Sequence, residues 1–398
     1  MKHPTHNRRE FIKKSGLWGG ALLLEKAWVF EDFKSSQSLI RVGVVGLGSR
    51  GKGLIRRIQE IPGFKLVAGC DVLPERIEEC KLITGPEPAY FADYSIMLRE
   101  ADFDAIVIAT PLFTHFEIIN SALTSELHIY CEKTMTYDHG QADHIVDRLE
   151  SKQDIVFQVG YQYRYSKLYE VVAKMVQNGS IGQLVGIRGQ WNRNGDWRRP
   201  VINPAFEKLI NWRMYKDYSR GLLGELTSHQ IDFVNWITGA TPLSVIGYGG
   251  IDYWKDGRET EDNIQVVFEY PNGLKVSLGC QTANAYQGYQ MVFLGDTANI
   301  IVGQNQAVIF PEEKFLEYGT VDGVTGATIT TSDFKEGIPI NIPAEEPTAN
   351  ALQHFLKCIL EKKQPPSNAH SGRDCVYAVE IATRAIEEKR MVFWNELN

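Results

Sequence analysis

The run Val42-Gly43-Val44-Val45-Gly46-Leu47-Gly48-Ser49-Arg50-Gly51 constrains this chain more than any other stretch. Apolar, β-branched residues end in Gly46-x-Gly48-x-x-Gly51, and a second apolar run, Phe64 to Cys70, stops at Asp71. The pattern reads as strand, tight turn and helix, followed by a strand that carries an acid at its tip. Each part suits a dinucleotide. Gly46 permits the turn, Gly48 lets the backbone approach a pyrophosphate, and Gly51 allows close helix–strand packing. The first helical turn, from Ser49 and Arg50, offers free N–H groups and a positive dipole end to the phosphates. Asp71 can accept hydrogen bonds from a ribose diol, which a mere glycine-rich turn would not explain. An acid there repels a 2′-phosphate and favours NAD over NADP. Arg50 and Lys52 lie close enough in sequence to keep NADP open.

Strand and helix patterns alternate after residue 38. Strands are expected at Ile40–Val45, Lys65–Cys70, Ala105–Ala109, Ile129–Cys131 and Ile155–Val159. Helices are expected near Lys52–Gln59, Pro74–Leu82, Phe116–Leu123 and Gln141–Leu149. Short apolar strands separated by helix-length segments give an α/β fold, a Rossmann-type doubly wound parallel sheet over residues 39–160. Beyond Gly160 the grammar changes. A helix near Lys167–Val176, a strand at Leu184–Arg188 and a strong helix at Leu222–Ile237 precede alternating segments at 244–248, 264–270, 275–278, 290–294 and 299–302. Turn signals such as Pro271-Asn272-Gly273 separate them, as in a large, mostly antiparallel sheet. Helices near 349–360 and 375–388 close this second, α+β domain of residues 161–398, expected to bind substrate and to build an oligomer.

A length of 398 residues is ample for two cored domains, and a net charge of -7 with 11% aromatic residues suits an acidic enzyme. No basic cluster large enough for a nucleic-acid groove follows the amino terminus. No two of the six cysteines fall at CxxC spacing, so no metal site is expected. Cys70 and Cys131 read as buried thiols, and a disulfide stays open if the protein is exported. Export is the expectation from Arg8-Arg9-Glu10-Phe11-Ile12-Lys13, which resembles a twin-arginine signal for the periplasm, followed by a weakly apolar stretch from Ser15 to Leu24. A basic amino-terminal tail in a cytoplasmic protein is the alternative. The apolar stretch is too short for a membrane span.

Three further segments resemble the Gfo/Idh/MocA oxidoreductases, the family of glucose–fructose oxidoreductase and inositol 2-dehydrogenase. They are Ala109-Thr110-Pro111 with His115, then Cys131-Glu132-Lys133-Thr134, then Glu225-x-x-x-His229-Gln230-Ile231-Asp232. The likeness covers about residues 39 to 398. It departs at Thr134, where the family usually has proline. Ligands of open α/β sheets sit beyond the carboxyl ends of strands, where Thr110, Pro111, His115, Glu132 and Lys133 all fall. A lysine there can hydrogen-bond a hydroxyl under oxidation, and burial can lower it from ~10.4 towards ~7–8. Glu225, His229 and Asp232 share one face of an otherwise apolar helix. The resemblance makes His229 the proton-transfer residue or hydroxyl ligand, with Glu225 orienting its imidazole. Asp232 can bridge structure as readily as meet substrate, and His115 can be structural or contact the nicotinamide. Arg164, in Tyr163-Arg164-Tyr165, stands where relatives place an arginine near cofactor and substrate. Tyr163, Trp197 and Arg213 belong to a run of aromatic and polar residues suited to a sugar.

The resemblance implies NAD(P)-dependent oxidation or reduction of a secondary hydroxyl on a sugar, cyclitol or glycoside, by a homo-oligomer, dimer or tetramer. A glycosidase working through transient C3 oxidation and elimination is the second reading, and a non-catalytic sugar or nucleotide sensor the third. Export would require a tightly held cofactor restored within each cycle, by coupled oxidation and reduction of two sugars or by transient oxidation; a 3-keto-sugar oxidoreductase serving a separate lyase fits the same expectation.

Overall fold

The computed structural model describes residues 39–312 and 337–397; the paired arginines and the rest of residues 1–38 lie outside them. Six parallel strands form the first sheet: β1 (Ile40–Val45), β2 (Phe64–Cys70), β3 (Ala89–Phe91), β4 (Ala105–Ile108), β5 (His128–Cys131) and β6 (Phe157–Val159), in the order β3-β2-β1-β4-β5-β6. Val42, Val44, Ile106 and Ile108 are fully buried, as strands covered on both faces require. The strand order reverses between β1 and β4, which opens a crevice at their carboxyl ends.

Helices Ser49–Glu60, Pro74–Thr84, His115–Thr124 and His139–Glu150 fill the expected crossovers. The strand expected from Ile155 begins only at Phe157. Sequence patterning misses β3 and the helix Tyr94–Glu100 because both are short; Asp93 caps that helix through the amides of Ser95 and Ile96.

The second sheet contains β7 (Leu184–Asn192), β8 (Ser244–Gly250), β9 (Asn263–Glu269), β10 (Lys275–Gln281), β11 (Tyr289–Gly295), β12 (Ala298–Val302), β13 (Ala307–Pro311), β14 (Ile338–Ile340) and β15 (Val392–Phe393). Their order is β14-β13-β12-β11-β7-β10-β9-β8-β15. Only β7 and β10 pair in parallel, so the sheet is mostly antiparallel, as expected. Strand alternation buries Val245, Val266, Leu278 and Phe293 on one face. The opposite face carries a cross-strand row of Ile246, Val267, Ser277, Arg188, Val292 and Ile301. Ile246 and Val267 in that row are exposed.

Packing crosses the sequence boundary between the domains. Phe355, on helix Pro347–Glu361, meets Phe64 of β2 and Tyr130 of β5 with ring centroids 6.4 and 5.9 Å apart. The strong helix expected over Leu222–Ile237 is interrupted: a π-turn spans Leu223–Thr227, and regular helix runs from Ser228 to Thr238. A wide turn of this kind leaves carbonyls without their usual helical donors.

Candidate active site

The glycine turn is built by steric necessity. Gly46 has φ +92°, and a Cβ there would stand 2.6 Å from the carbonyl carbon of Ala109. A Cβ on Gly51 would lie 1.8 Å from the oxygen of Gly46. Gly48 differs: a Cβ would meet nothing nearer than the Arg76 guanidinium at 3.7 Å, so its bareness serves an approaching ligand rather than the fold. No side chain caps helix Ser49–Glu60 and no acid lies in its first turn. Open amides, a positive dipole end and an unobstructed backbone fit a diphosphate.

Asp71 is buried at the tip of β2. One oxygen accepts from the Leu47 amide at 2.8 Å and the other from the Leu73 amide at 2.9 Å. The carboxylate thus anchors the glycine turn and still has acceptor capacity for a ribose diol. The two cations expected to blur cofactor choice are engaged elsewhere. Arg50 turns inward, its Nε 2.6 Å from Glu132, and Lys52 pairs with Glu79. Arg50 and Glu132, expected at the cofactor, therefore first tie the glycine helix to the end of β5. The cation beside the acid is Arg76, with Nη1 3.5 Å from Asp71. Sequence reading missed it, although an arginine five residues past the acid, on the next helix, was a usable signal.

Lys133 leaves the end of β5 through a cis peptide bond to Thr134. Its Nζ donates to the Glu225 carbonyl at 2.8 Å and to the Gly224 carbonyl at 3.4 Å, both in the π-turn. The Glu225 carboxylate lies 3.9 Å away. Burial lowers the lysine pKa, Glu225 opposes this, and Arg213 reinforces it. His115 does not stand free for a nicotinamide. It is buried, with Nδ1 3.0 Å from the Thr134 oxygen and Nε2 3.0 Å from the Thr110 oxygen. It clasps the ends of β4 and β5 together, which fixes the backbone that presents Thr110, Pro111 and Lys133.

The expected pairing of Glu225 with His229 does not form. Arg213 donates from Nε to the Glu225 carboxylate at 2.6 Å, and Lys133 faces the same group. Burial opposes ionisation of Glu225, but these two cations outweigh it and hold its pKa below the ordinary range. His229 instead sits among rings, with centroids of Tyr163, Trp191 and Tyr161 at 5.3, 5.7 and 5.8 Å. Its Nδ1 is buried without a hydrogen-bond partner. Burial, then the positive charges of Lys133 and Arg50, push its pKa well below 6.5. Tyr161 and Trp191, part of this aromatic wall, belong to the aromatic and polar runs read from the sequence as suited to a sugar.

Two expected ligand-binding residues serve the fold. Arg164 makes three N–H···O contacts of 2.8–3.1 Å to Asp232 and donates to the Pro366 carbonyl at 3.2 Å. The pair is buried: the guanidinium contacts both Asp232 oxygens, and Arg164 lies 5.7 Å from the Trp236 ring. Tyr163 stacks on Tyr169 at 4.6 Å and reaches the site only as a wall against His229. Trp197 lies on the segment after β7 with φ +63°, under the Arg193 guanidinium at 5.5 Å. Arg213 stacks on Trp212 at 4.3 Å while it holds Glu225. All six cysteines are free and buried. Among the described residues no cluster of histidine, cysteine or carboxylate could hold a metal, and no helix is long and apolar enough to cross a membrane.

Comparison with known proteins agrees with this geometry. Residues 40–161 match the oxidoreductase family with an NAD-binding Rossmann fold, and residues 169–301 match the GFO/IDH/MocA C-terminal domain. The myo-inositol 2-dehydrogenase of Thermotoga maritima is 24% identical over 374 residues, covering 90% of this chain and 99% of that protein. Scyllo-inositol dehydrogenase from Lactobacillus casei, solved with NAD(H) and scyllo-inositol, superimposes with a TM-score of 0.69 at 22% identity, over 90% of this chain and all of that one. Aldose-aldose oxidoreductase from Caulobacter crescentus gives a TM-score of 0.70 at 18% identity over 90% of this chain. With the glycine turn, the strand-end lysine and both domain matches in order, the chain belongs to the Gfo/Idh/MocA family of NAD-binding oxidoreductases.

Proposed function

We propose that the chain transfers hydride between NAD and a secondary hydroxyl of a cyclitol or sugar, with Lys133 and His229 handling the hydroxyl proton. The observation that carries this reading is the lodging of Lys133 between two backbone carbonyls of the π-turn, beside Glu225 and with its charge bearing on His229. The names of the Thermotoga and Lactobacillus proteins support a polyol substrate.

When bound, the nicotinamide supplies the hydride chemistry; the residues supply position and proton handling. The glycine turn and Asp71 would hold the dinucleotide, and the ends of β4 and β5 would flank its nicotinamide half. An ammonium has three hydrogens, while a neutral amine has two and a lone pair. With two carbonyls taking hydrogens from Lys133, one position is left for a hydroxyl, as acceptor when neutral and as donor when charged. Burial favours the neutral amine, the form that can take the hydroxyl's proton. Glu225, kept ionised by Arg213 and Lys133, steadies the charge that appears when the amine takes a proton. His229, kept neutral by burial, can hydrogen-bond a second hydroxyl or share that proton. Trp191 offers a ring face to sugar C–H groups.

Purified protein incubated with NAD and a panel of inositols, aldoses and nitrophenyl glycosides tests the reading. The expected result is NADH formation with a polyol or sugar, lowered at least ~100-fold in Lys133→Ala and in His229→Ala, with NAD affinity retained. Release of nitrophenol without net NADH would move the assignment to glycoside elimination. Near-normal turnover in either variant would remove that residue from the proposed mechanism.

A further inference from the structure

We propose that Arg199, carried by the second domain, closes over the diphosphate of the dinucleotide and holds it against the glycine turn. The inference rests on the NAD-binding reading above and adds a residue that neither the motif nor the helix terminus supplies.

Arg199 follows β7 in an irregular segment, yet its Nη1 lies 3.4 Å from the hydroxyl of Ser49, the first residue of the glycine-motif helix. It thus crosses from one domain to the phosphate-facing turn of the other. Every other cation near the turn is engaged: Arg50 with Glu132, Lys52 with Glu79, Arg76 with Asp71 and Arg213 with Glu225. Among the described residues Arg199 has no carboxylate. Partial burial, then its charged neighbours Arg213 and Arg76, pull its pKa down. Gathering guanidinium groups without an anion costs energy, and a two-charge diphosphate relieves it.

The backbone behind this side chain is fixed, not floppy. The Arg199 amide donates to the Asn211 side chain at 2.7 Å, and the Asn211 amide group donates back to the Arg199 carbonyl at 3.0 Å. Asn211 is itself buried and donates to Glu207, which also receives Arg198 at 2.6 Å. Such ordering pays no dividend through the long contact to Ser49, since an exposed pair of that length is worth little. It does pre-position a forked donor for a phosphate, which saves ordering entropy at binding. A dinucleotide held from both domains leaves slowly, because release then requires parting the cleft or swinging Arg199 aside.

The test compares the full-length protein with Arg199→Met and Arg199→Lys. Calorimetry measures affinity for NAD, ADP-ribose and adenosine, and stopped-flow fluorescence measures NADH release. Arg199→Met is expected to weaken NAD and ADP-ribose by about 10–100-fold, mostly by faster release, with adenosine unchanged. Arg199→Lys should fall between, and melting without nucleotide should match the parent. Unchanged ADP-ribose affinity in Arg199→Met overturns the proposal while leaving the NAD reading intact. Loss confined to KM for an acidic substrate overturns it in favour of a substrate contact. Failure of the parent protein itself to bind NAD or ADP-ribose overturns both.

Discussion

At the scale of single residues, the site separates groups by the company they keep. Glu225 is held ionised by two cations, while His229 is held neutral by rings and burial. The histidine has a consequence for stability. Unfolded, it binds a proton near 6.5; folded, it resists protonation until well below that value. Below pH 6.5 the unfolded state therefore binds more protons, and stability falls as pH falls. In His229→Gln, urea unfolding between pH 6.5 and 5 should show a slope shallower by up to ~1.4 kcal/mol per pH unit. His115, His128 and His354 are depressed by burial too, so acid sensitivity should shrink without vanishing. An unchanged slope would mean that His229 takes its proton at an ordinary pH.

At the scale of elements, the two ends of the glycine motif should fail differently. Gly51→Ala drives a methyl group into the Gly46 carbonyl, so the helix must move and the fold itself should weaken. Gly48→Ala meets only the tip of Arg76, so melting should hold while NAD affinity drops at least ~10-fold as the methyl occupies the phosphate approach. Equal losses of melting temperature in both variants would refute this division of labour. The contrast also explains what the sequence could convey. Glycines, the acid at β2 and strand-end residues follow from local rules with period and spacing, so the first sheet and its crevice were legible. The π-turn was not, because Leu222 to Ile237 has an unbroken helical pattern and the donor to the widened turn's carbonyls, Lys133, lies some ninety residues earlier in the chain. Glu225 was assigned to His229 from the family resemblance and their shared helix face; its partners Arg213 and Lys133 come from other elements. Arg164 looked like a ligand because nothing local reveals that Asp232 faces it. His115 looked available because the carbonyls that occupy it are backbone atoms, which sequence does not advertise.

At the scale of the whole molecule, no element among the described residues covers the outer face of the second sheet over β8 and β9. Ile246, Val267 and Tyr248 are 43%, 41% and 74% exposed there, and Leu243 and Phe393 flank them at 50% and 49%. Apolar residues aligned across paired strands make a flat patch suited to a second copy of the chain. Sedimentation should find a dimer or tetramer, and Ile246→Lys combined with Val267→Glu should shift it towards monomer without altering NAD affinity. A parent protein that stays monomeric at micromolar concentration would dismiss the patch as an interface.

Lys133 is rooted in the first sheet, yet its amine is fastened to backbone oxygens of the second domain. Any hinge movement that gapes the crevice must unhook that amine and rehydrate it, restoring the basicity that enclosure removes. Were the crevice to part, acid would favour the parted form and alkali the shut one, because enclosure disfavours the charged amine. The lysine proposed to manage the substrate's proton is thereby also a latch between the two halves of the molecule.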